Sequence, residues 1–186
     1  MSGHLEVICG PMFSGKTEEM LRRLRRVEIA GQKSIVFKPV IDNRYSVTEI
    51  ASHVGNKREA YAVKDIYALL DIIAQGTYDV IAIDEVQFFE FEIAVTIQGF
   101  LEANKRVIVS GLDLDFRKEP FGIVPELLAM AKFVVKLRAV CQVCGEDAMY
   151  TQRLLNGKPA PLSGKTVIVG GQEQYEARCE KCWQEG

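Results

Sequence analysis

The stretch Gly10-Pro11-Met12-Phe13-Ser14-Gly15-Lys16-Thr17 constrains this chain more than any other. It fits G-x-x-x-x-G-K-[ST], the phosphate-binding loop. In that loop main-chain N–H groups wrap a triphosphate, the lysine reaches its β/γ-phosphates and the threonine hydroxyl can ligate Mg²⁺. The pattern has physical meaning only between a strand and a helix, where the positive helix N-terminus faces the anion. Residues 4–9 read as a short, mostly apolar strand, and residues 18–30 carry Met20, Leu21, Leu24 and Val27 at helical spacing. Both required neighbours are therefore expected.

Beyond this unit, strands and helices alternate. Strands are expected at residues 34–38, where Pro39 ends the run, at 60–63, at the continuous apolar run 79–83, at 106–110 and at 133–140. Helices are expected at 66–74, with Asp65 as N-cap, at 88–103 and at 123–131. Unbroken apolar strands belong in the middle of a parallel sheet covered on both faces. The expected fold class is thus α/β, a P-loop NTPase core with a mainly parallel sheet over residues 1–140. The polar segment 40–58, holding Asp42 and Arg44, follows a strand end, where such folds keep their ligands.

From Cys141 onward the composition changes to short β-prone pieces and turns, so residues 141–186 form a separate appendage. An apolar share of 48% over the whole chain is enough for a normal core. A formal net charge of −2 and a pI near 5.8 argue against a nucleic-acid binder, which usually carries a basic face. No apolar run is long enough to span a membrane, and the N-terminus lacks the pattern of a secretory signal, so a cytoplasmic protein is expected. Disulfides are unlikely to survive in that compartment, which turns attention to how the five cysteines are spaced.

Cys141-x-x-Cys144 and Cys179-x-x-Cys182 are two knuckles with 34 residues between them, longer than the usual ribbon spacing of about 15–20. They predict a tetrahedral Cys₄ zinc site. With every position filled by protein, such a site is structural and ties the two ends of a long excursion together. Cys9 reads as a small buried core residue.

Asp84-Glu85 follows the apolar run 79–83. A carboxylate in that position holds Mg²⁺ opposite the phosphate-loop hydroxyl, and the next one is placed to act as general base. The pair alone does not separate a kinase from an ATPase. A GTPase is excluded more firmly: Asn56-Lys57-Arg58-Glu59 and Asn104-Lys105-Arg106-Val107 both lack the aspartate of the guanine-reading motif Asn-Lys-x-Asp. The run Phe88-Phe89-Glu90-Phe91 is compatible with packing, or with a wall for a flat ring to which Tyr175 adds.

Four segments in order then point one way: the phosphate loop, Asp84-Glu85-Val86-Gln87-Phe88-Phe89, Gly111-Leu112-Asp113-Leu114-Asp115-Phe116 with Pro120-Phe121-Gly122, and Tyr150-Thr151-Gln152-Arg153. Over nearly its whole length the chain resembles the zinc-containing (type II) thymidine kinases of bacteria and animal cytosol. The resemblance implies transfer from Mg-ATP to the 5′-hydroxyl of thymidine, and less well of deoxyuridine, with Glu85 as base. It places Lys16 and the rest of the loop on the phosphates, Thr17 and Asp84 on Mg²⁺, Asp42, Arg44 and Gln87 on the same side, and Arg153 as added positive charge. Around thymine and sugar it places Met12, Phe88, Leu112, Phe116, Thr151 and Tyr175. Main-chain groups at Val169, Gly170 and Gly171 would read the base edge from a zinc-tied lasso. It further implies a homotetramer inhibited by thymidine triphosphate, with no nucleic-acid or membrane partner. The chain ends shortly after Cys182, where animal members carry a degradation-controlling tail, so a bacterial-type member is expected. The competing expectations are a RecA- or helicase-like ATPase whose zinc module binds nucleic acid, and a non-catalytic nucleotide switch.

Overall fold

The central strands, His4–Cys9, Val80–Ile83 and Arg106–Gly111, are buried along nearly their whole length, which shows how the core is built. The computed structural model describes residues 2–40, 49–51, 57–163, 166 and 173–186. In chain order its elements are β1 (His4–Cys9), α1 (Lys16–Ile29), β2 (Ser34–Pro39), β3 (Glu49–Ala51), β4 (Lys57–Glu59), β5 (Tyr61–Val63), α2 (Ile66–Ile73), β6 (Val80–Ile83), α3 (Glu92–Glu102), β7 (Arg106–Gly111), α4 (Val124–Met130) and β8 (Phe133–Lys136). Then follow β9 (Ala139–Val140), β10 (Asp147–Ala148), β11 (Tyr150–Leu155), β12 (Lys158–Pro159) and β13 (Glu173–Arg178).

Among the described residues six strands form one parallel sheet in the order β5-β2-β6-β7-β1-β8. Successive side chains on a strand point to opposite faces. Leu5, Val7 and Cys9 of β1, with Phe37, Ile83 and Val109, pack under α2, α3 and α4 through Leu69, Ile93, Ile97 and Leu127. Ile8, Val36, Ala82 and Ile108 face the other way, onto Met20, Leu24 and Val27 of α1 and onto Ile50. A sheet clad on both faces explains why its central strands are apolar throughout. Asp65 caps α2 as expected, its Oδ1 accepting from Ala68 N at 2.9 Å.

Two expected elements are shorter than their sequence suggested. The helix foreseen over 88–103 begins only at Glu92. Before it, Val86–Phe88 make one 3₁₀ turn and Phe89 is extended, because Gln87 is held inward by the chain around Gly111 and Leu112. The long strand foreseen over 133–140 breaks after Lys136. Leu137 turns to donate its N–H to Cys9 O at 2.8 Å, and Ala139–Val140 leave the sheet to pair with Asp147–Ala148.

The C-terminal part is antiparallel. β11 pairs with β13 in a register that sets Tyr150 opposite Arg178 and Arg153 opposite Tyr175. Asn156 and Gly157, with φ of 52° and 76°, make the two-residue hairpin turn into β12. Among the described residues no helix is long and apolar enough to cross a membrane.

Candidate active site and metal centre

The phosphate loop leaves β1 at its C-terminal end and enters α1 directly. Its course needs left-handed backbone at Gly15 (φ 82°) and at Phe13 (φ 65°), and Gly10 (φ 143°) is fixed by crowding as well. A Cβ on Gly10 would lie 2.5 Å from Leu137 O, so no side chain fits there. Lys16 is buried and donates to Pro11 O at 2.6 Å, while Ser14 Oγ donates to the same carbonyl at 2.8 Å. Met12 N donates to Thr151 Oγ1 at 3.0 Å, which brings β11 onto the loop.

Facing the loop are Asp84 and Glu85 at the end of β6. β7 lies between β1 and β6 in the sheet, and this order has a chemical consequence: Ser110, on β7, hydrogen-bonds Asp84 Oδ1. The same oxygen accepts from Glu85 N at 3.0 Å, and Asp84 Oδ2 accepts from Thr17 Oγ1 at 3.3 Å. Two hard oxygens from two elements thus meet at one point, a donor set that suits Mg²⁺.

Glu85 adopts φ 53° and ψ 42°, a left-handed conformation that costs a non-glycine residue on the order of 1 kcal/mol and marks functional sites. Gln87 braces it. The Gln87 amide Nε2 donates to Glu85 Oε2, and its Oε1 accepts from Leu112 N at 3.1 Å. Gly111 leaves room for that amide, since a Cβ there would lie 2.6 Å from Gln87 Oε1. Burial raises the pKa of Asp84, against hydrogen bonds that favour its charge. It raises that of Glu85 too, with the Asp84 charge adding to the effect, and it lowers that of Lys16. Glu85 still touches solvent whereas Asp84 is buried.

Farther along the chain from Leu112, Phe116 joins Arg153 and Tyr175 in one stack. The Arg153 guanidinium lies 3.9 Å from the Phe116 ring centroid and donates to Tyr175 Oη, through Nε at 3.1 Å and Nη2 at 3.0 Å. It also reaches Thr166 O at 2.8 Å. Phe88 packs edge-on against Phe121 at 5.5 Å and borders a cleft of about 450 Å³ with Pro39, Tyr67 and Phe89. Asp42, Arg44, Val169, Gly170 and Gly171 lie outside the described residues.

Among the expected residues, the loop, Asp84, Glu85, Gln87, Leu112 and Thr151 are brought together by direct bonds, and Phe116, Arg153 and Tyr175 by a second set. Sequence reasoning missed Ser110 and the Asp113–Lys136 ion pair at 2.7 Å, which lies against Cys9. Burial, and after it the Asp113 charge, push the Cys9 thiol up to about 11 against the opposing charges of Lys136 and Lys16, consistent with an inert core thiol. The signal for Ser110 was a polar residue closing an otherwise apolar run.

At the C-terminal knuckles, the Sγ atoms of Cys141, Cys144, Cys179 and Cys182 all lie within 4.8 Å of one another, and Cys144 and Cys179 are 3.6 Å apart. Zn–S bonds of about 2.3 Å in a tetrahedron put sulfurs about 3.8 Å apart, so the group can hold zinc. Burial disfavours the Cys141 thiolate, yet the N–H groups of Cys179, Cys144 and Val143 outweigh it and bring the pKa to about 6. Cys182 is pushed up to about 12, first by hydrogen bonding with Cys144. Four thiolates this close need a cation.

A parallel α/β sheet with a G-x-x-x-x-G-K-T loop facing an Asp-Glu pair, joined to a four-cysteine centre, defines a nucleotide-handling protein of the phosphoryl-transfer kind. A family model described as thymidine kinase matches residues 3–183, and the chain belongs to that family. Membership implies a nucleoside kinase acting on thymidine, with ATP as phosphoryl donor.

Proposed function

We propose that the protein transfers the terminal phosphoryl group of ATP to the 5′-hydroxyl of thymidine, in nucleotide salvage, with Glu85 as general base. The observation that carries this reading is the Glu85 carboxylate itself: left-handed, braced by Gln87, and electrostatically linked to Lys16. Glu85 accepts the 5′-hydroxyl proton as the new O–P bond forms and the bond to the departing ADP breaks. Lys16 stabilises charge on the transferring group, and the loop orients it. Thr17 and Asp84 would hold Mg²⁺, which when bound neutralises the β/γ-oxygens.

Residues 1–140 serve as the ATP-binding domain and 141–186 as the zinc-tied lid over the nucleoside. Met12, Leu112, Phe116, Thr151 and Tyr175 flank thymine and sugar, with Phe88 at the edge, and Val169 to Gly171 read the base edge. The stacking of Arg153 on Phe116 supports a place behind the base rather than on the phosphates. Likewise the two amide bonds of Gln87 support bracing of Glu85 rather than contact with ATP. Asp42 and Arg44 approach metal and phosphates. A cytoplasmic homotetramer inhibited by thymidine triphosphate completes the reading.

The test is ADP production from Mg-ATP with and without thymidine, beside deoxyuridine, deoxycytidine and single-stranded DNA. Thymidine-dependent ADP is expected. One methyl packed in a pocket is worth about 1–3 kcal/mol, so deoxyuridine turns over at a kcat/KM reduced about 10- to 200-fold. Deoxycytidine fails, because its exchanged donor and acceptor leave buried groups unpaired. ADP formed without nucleoside and stimulated by DNA would overturn the proposal.

A further inference from the structure

One lysine joins the metal knuckle to the start of β11, and neither the transfer chemistry nor the metal uses it. The Lys118 ammonium lies 4.1 Å from the ring centroid of Tyr150 and 4.3 Å from that of Trp183, and it pairs with Glu180 Oε1 at 2.9 Å. Tyr150 opens β11. Trp183 belongs to the second knuckle, where its N–H donates to Cys179 O at 3.0 Å. The Trp183 Nε1 atom is buried without a hydrogen-bond partner among the described residues. The part-buried indole turns its face to the Lys118 ammonium, and an aromatic face attracts a cation.

The turn that carries Lys118 is unusually committed. Lys118 itself has φ 67°, and the Asp115 carboxylate ties the turn by accepting from Arg117 N at 2.7 Å and Glu119 N at 3.1 Å. Three successive side chains leave it for three places. Phe116 stacks on Arg153, Arg117 donates to Leu162 O at 2.7 Å and Thr166 Oγ1 at 2.9 Å, and Lys118 enters the knuckle. The knuckle and Phe116 are thus joined through one short turn tied by the Asp115 carboxylate.

We propose that Lys118 is a positioning residue for the nucleoside: it clasps the zinc knuckle to the 115–119 turn and so fixes Phe116 and Arg153 behind the base. This rests on the proposed nucleoside site. Lys118 touches neither substrate, so its loss weakens nucleoside binding without altering the chemical step.

The experiment compares Lys118→Met and Lys118→Arg with the unaltered, zinc-loaded chain, reading steady-state kinetics, bound zinc and tryptophan emission. Trp183 is the sole tryptophan, so its emission reports the clasp alone. Lys118→Met is expected to raise KM for thymidine about 10-fold, leave kcat and KM for ATP within about twofold, retain zinc and shift the Trp183 emission. Lys118→Arg keeps a cation over the rings and restores both readouts. Trp183→Leu reproduces the KM change, and combining it with Lys118→Met adds nothing further. An unchanged thymidine KM, equal losses for both substrates, failure of arginine to rescue, or loss of zinc or fold in Lys118→Met would each overturn the clasp. Absence of thymidine-dependent turnover in the unaltered chain would overturn the functional reading and the clasp together, whereas normal turnover with an indifferent Lys118→Met overturns the clasp alone.

Discussion

The main-chain N–H of Met12 donates to Thr151 Oγ1 at 3.0 Å, joining residues 139 positions apart. Met12 is in the G-x-x-x-x-G-K-T loop and Thr151 near the start of β11, so one bond seats the C-terminal hairpin on that loop. Thr151 is buried, so its hydroxyl is shielded from bulk solvent. This N–H is then already paired within the protein.

Thr151→Val should therefore cost about 1–3 kcal/mol in stability, because the Met12 N–H is left without its acceptor. Thr151→Ser keeps the oxygen and should stay within about 1 kcal/mol of the parent. Thermal unfolding of the pair checks this, and KM for thymidine should rise in the valine variant alone. Equal melting of both variants would mean that the bond contributes packing only.

Glu85→Gln preserves shape and removes the base. The rate constant kcat is expected to fall about 10²–10⁴-fold, with substrate KM values little changed. Burial, and then Asp84, raise the Glu85 pKa above its ordinary 4.5. The base works deprotonated, so kcat/KM should decline with falling pH along a limb displaced above 4.5, and the glutamine variant should lack that limb. The sign for stability is opposite. A carboxyl whose pKa is raised by folding is a burden when charged, so Glu85→Gln should melt no lower than the parent at neutral pH without nucleotide. A lower melting temperature would contradict this account of the shift.

How much of this was legible in the sequence depends on the range of the interaction. The strand–loop–helix unit around Lys16, the Asp65 cap and the buried runs ending in Asp84 and Ser110 are local, and periodicity reveals them. The two Cys-x-x-Cys knuckles are also local, and pairing them needed only their chemistry. The break at Leu137 was invisible because it depends on the neighbouring Cys9 and Gly10. The late start of α3 depends on Gln87 meeting Leu112. Strand order is not written in any one segment, and only that order lets Ser110 reach Asp84. The turn at Asn156-Gly157 was a readable hairpin signal that drew no strand assignment beside it.

Removal of zinc should separate the two substrates. Structural zinc contributes apparent binding energy of roughly 10–16 kcal/mol to local order, and here the four-cysteine group that would hold it runs from Cys141 to Cys182 around β11 and β13. Chelation is expected to abolish thymidine binding while ATP still binds the sheet-borne loop, measured by equilibrium dialysis of each ligand. Cys182→Ser should mimic it. Equal loss of both ligands would show that the metal supports the whole fold.

The last expectation concerns the far end of the sheet. Glu6 of β1 is buried and accepts from Arg23 Nη1 and Arg106 Nε, both at 2.6 Å, with His4 Nε2 at 3.2 Å. Burial alone would raise its pKa, but the guanidinium groups of Arg106 and Arg23 together outweigh that and hold it below the ordinary 4.5. A lowered carboxyl pKa adds stability that is present above the unfolded-state value and is lost as pH falls through the folded one. Glu6→Gln leaves the buried Arg23, which keeps Glu19, and the part-exposed Arg106 short of a charge, and should cost about 2 kcal/mol at neutral pH, about 4–8 °C in melting temperature. The gap between variant and parent should narrow as pH drops below about 4.5, where the parent's own Glu6 begins to protonate. Melting curves from pH 7 down to pH 3.5 measure it, and a gap that stays constant over that range would mean that Glu6 holds the two arginines by shape and hydrogen bonding rather than by its charge.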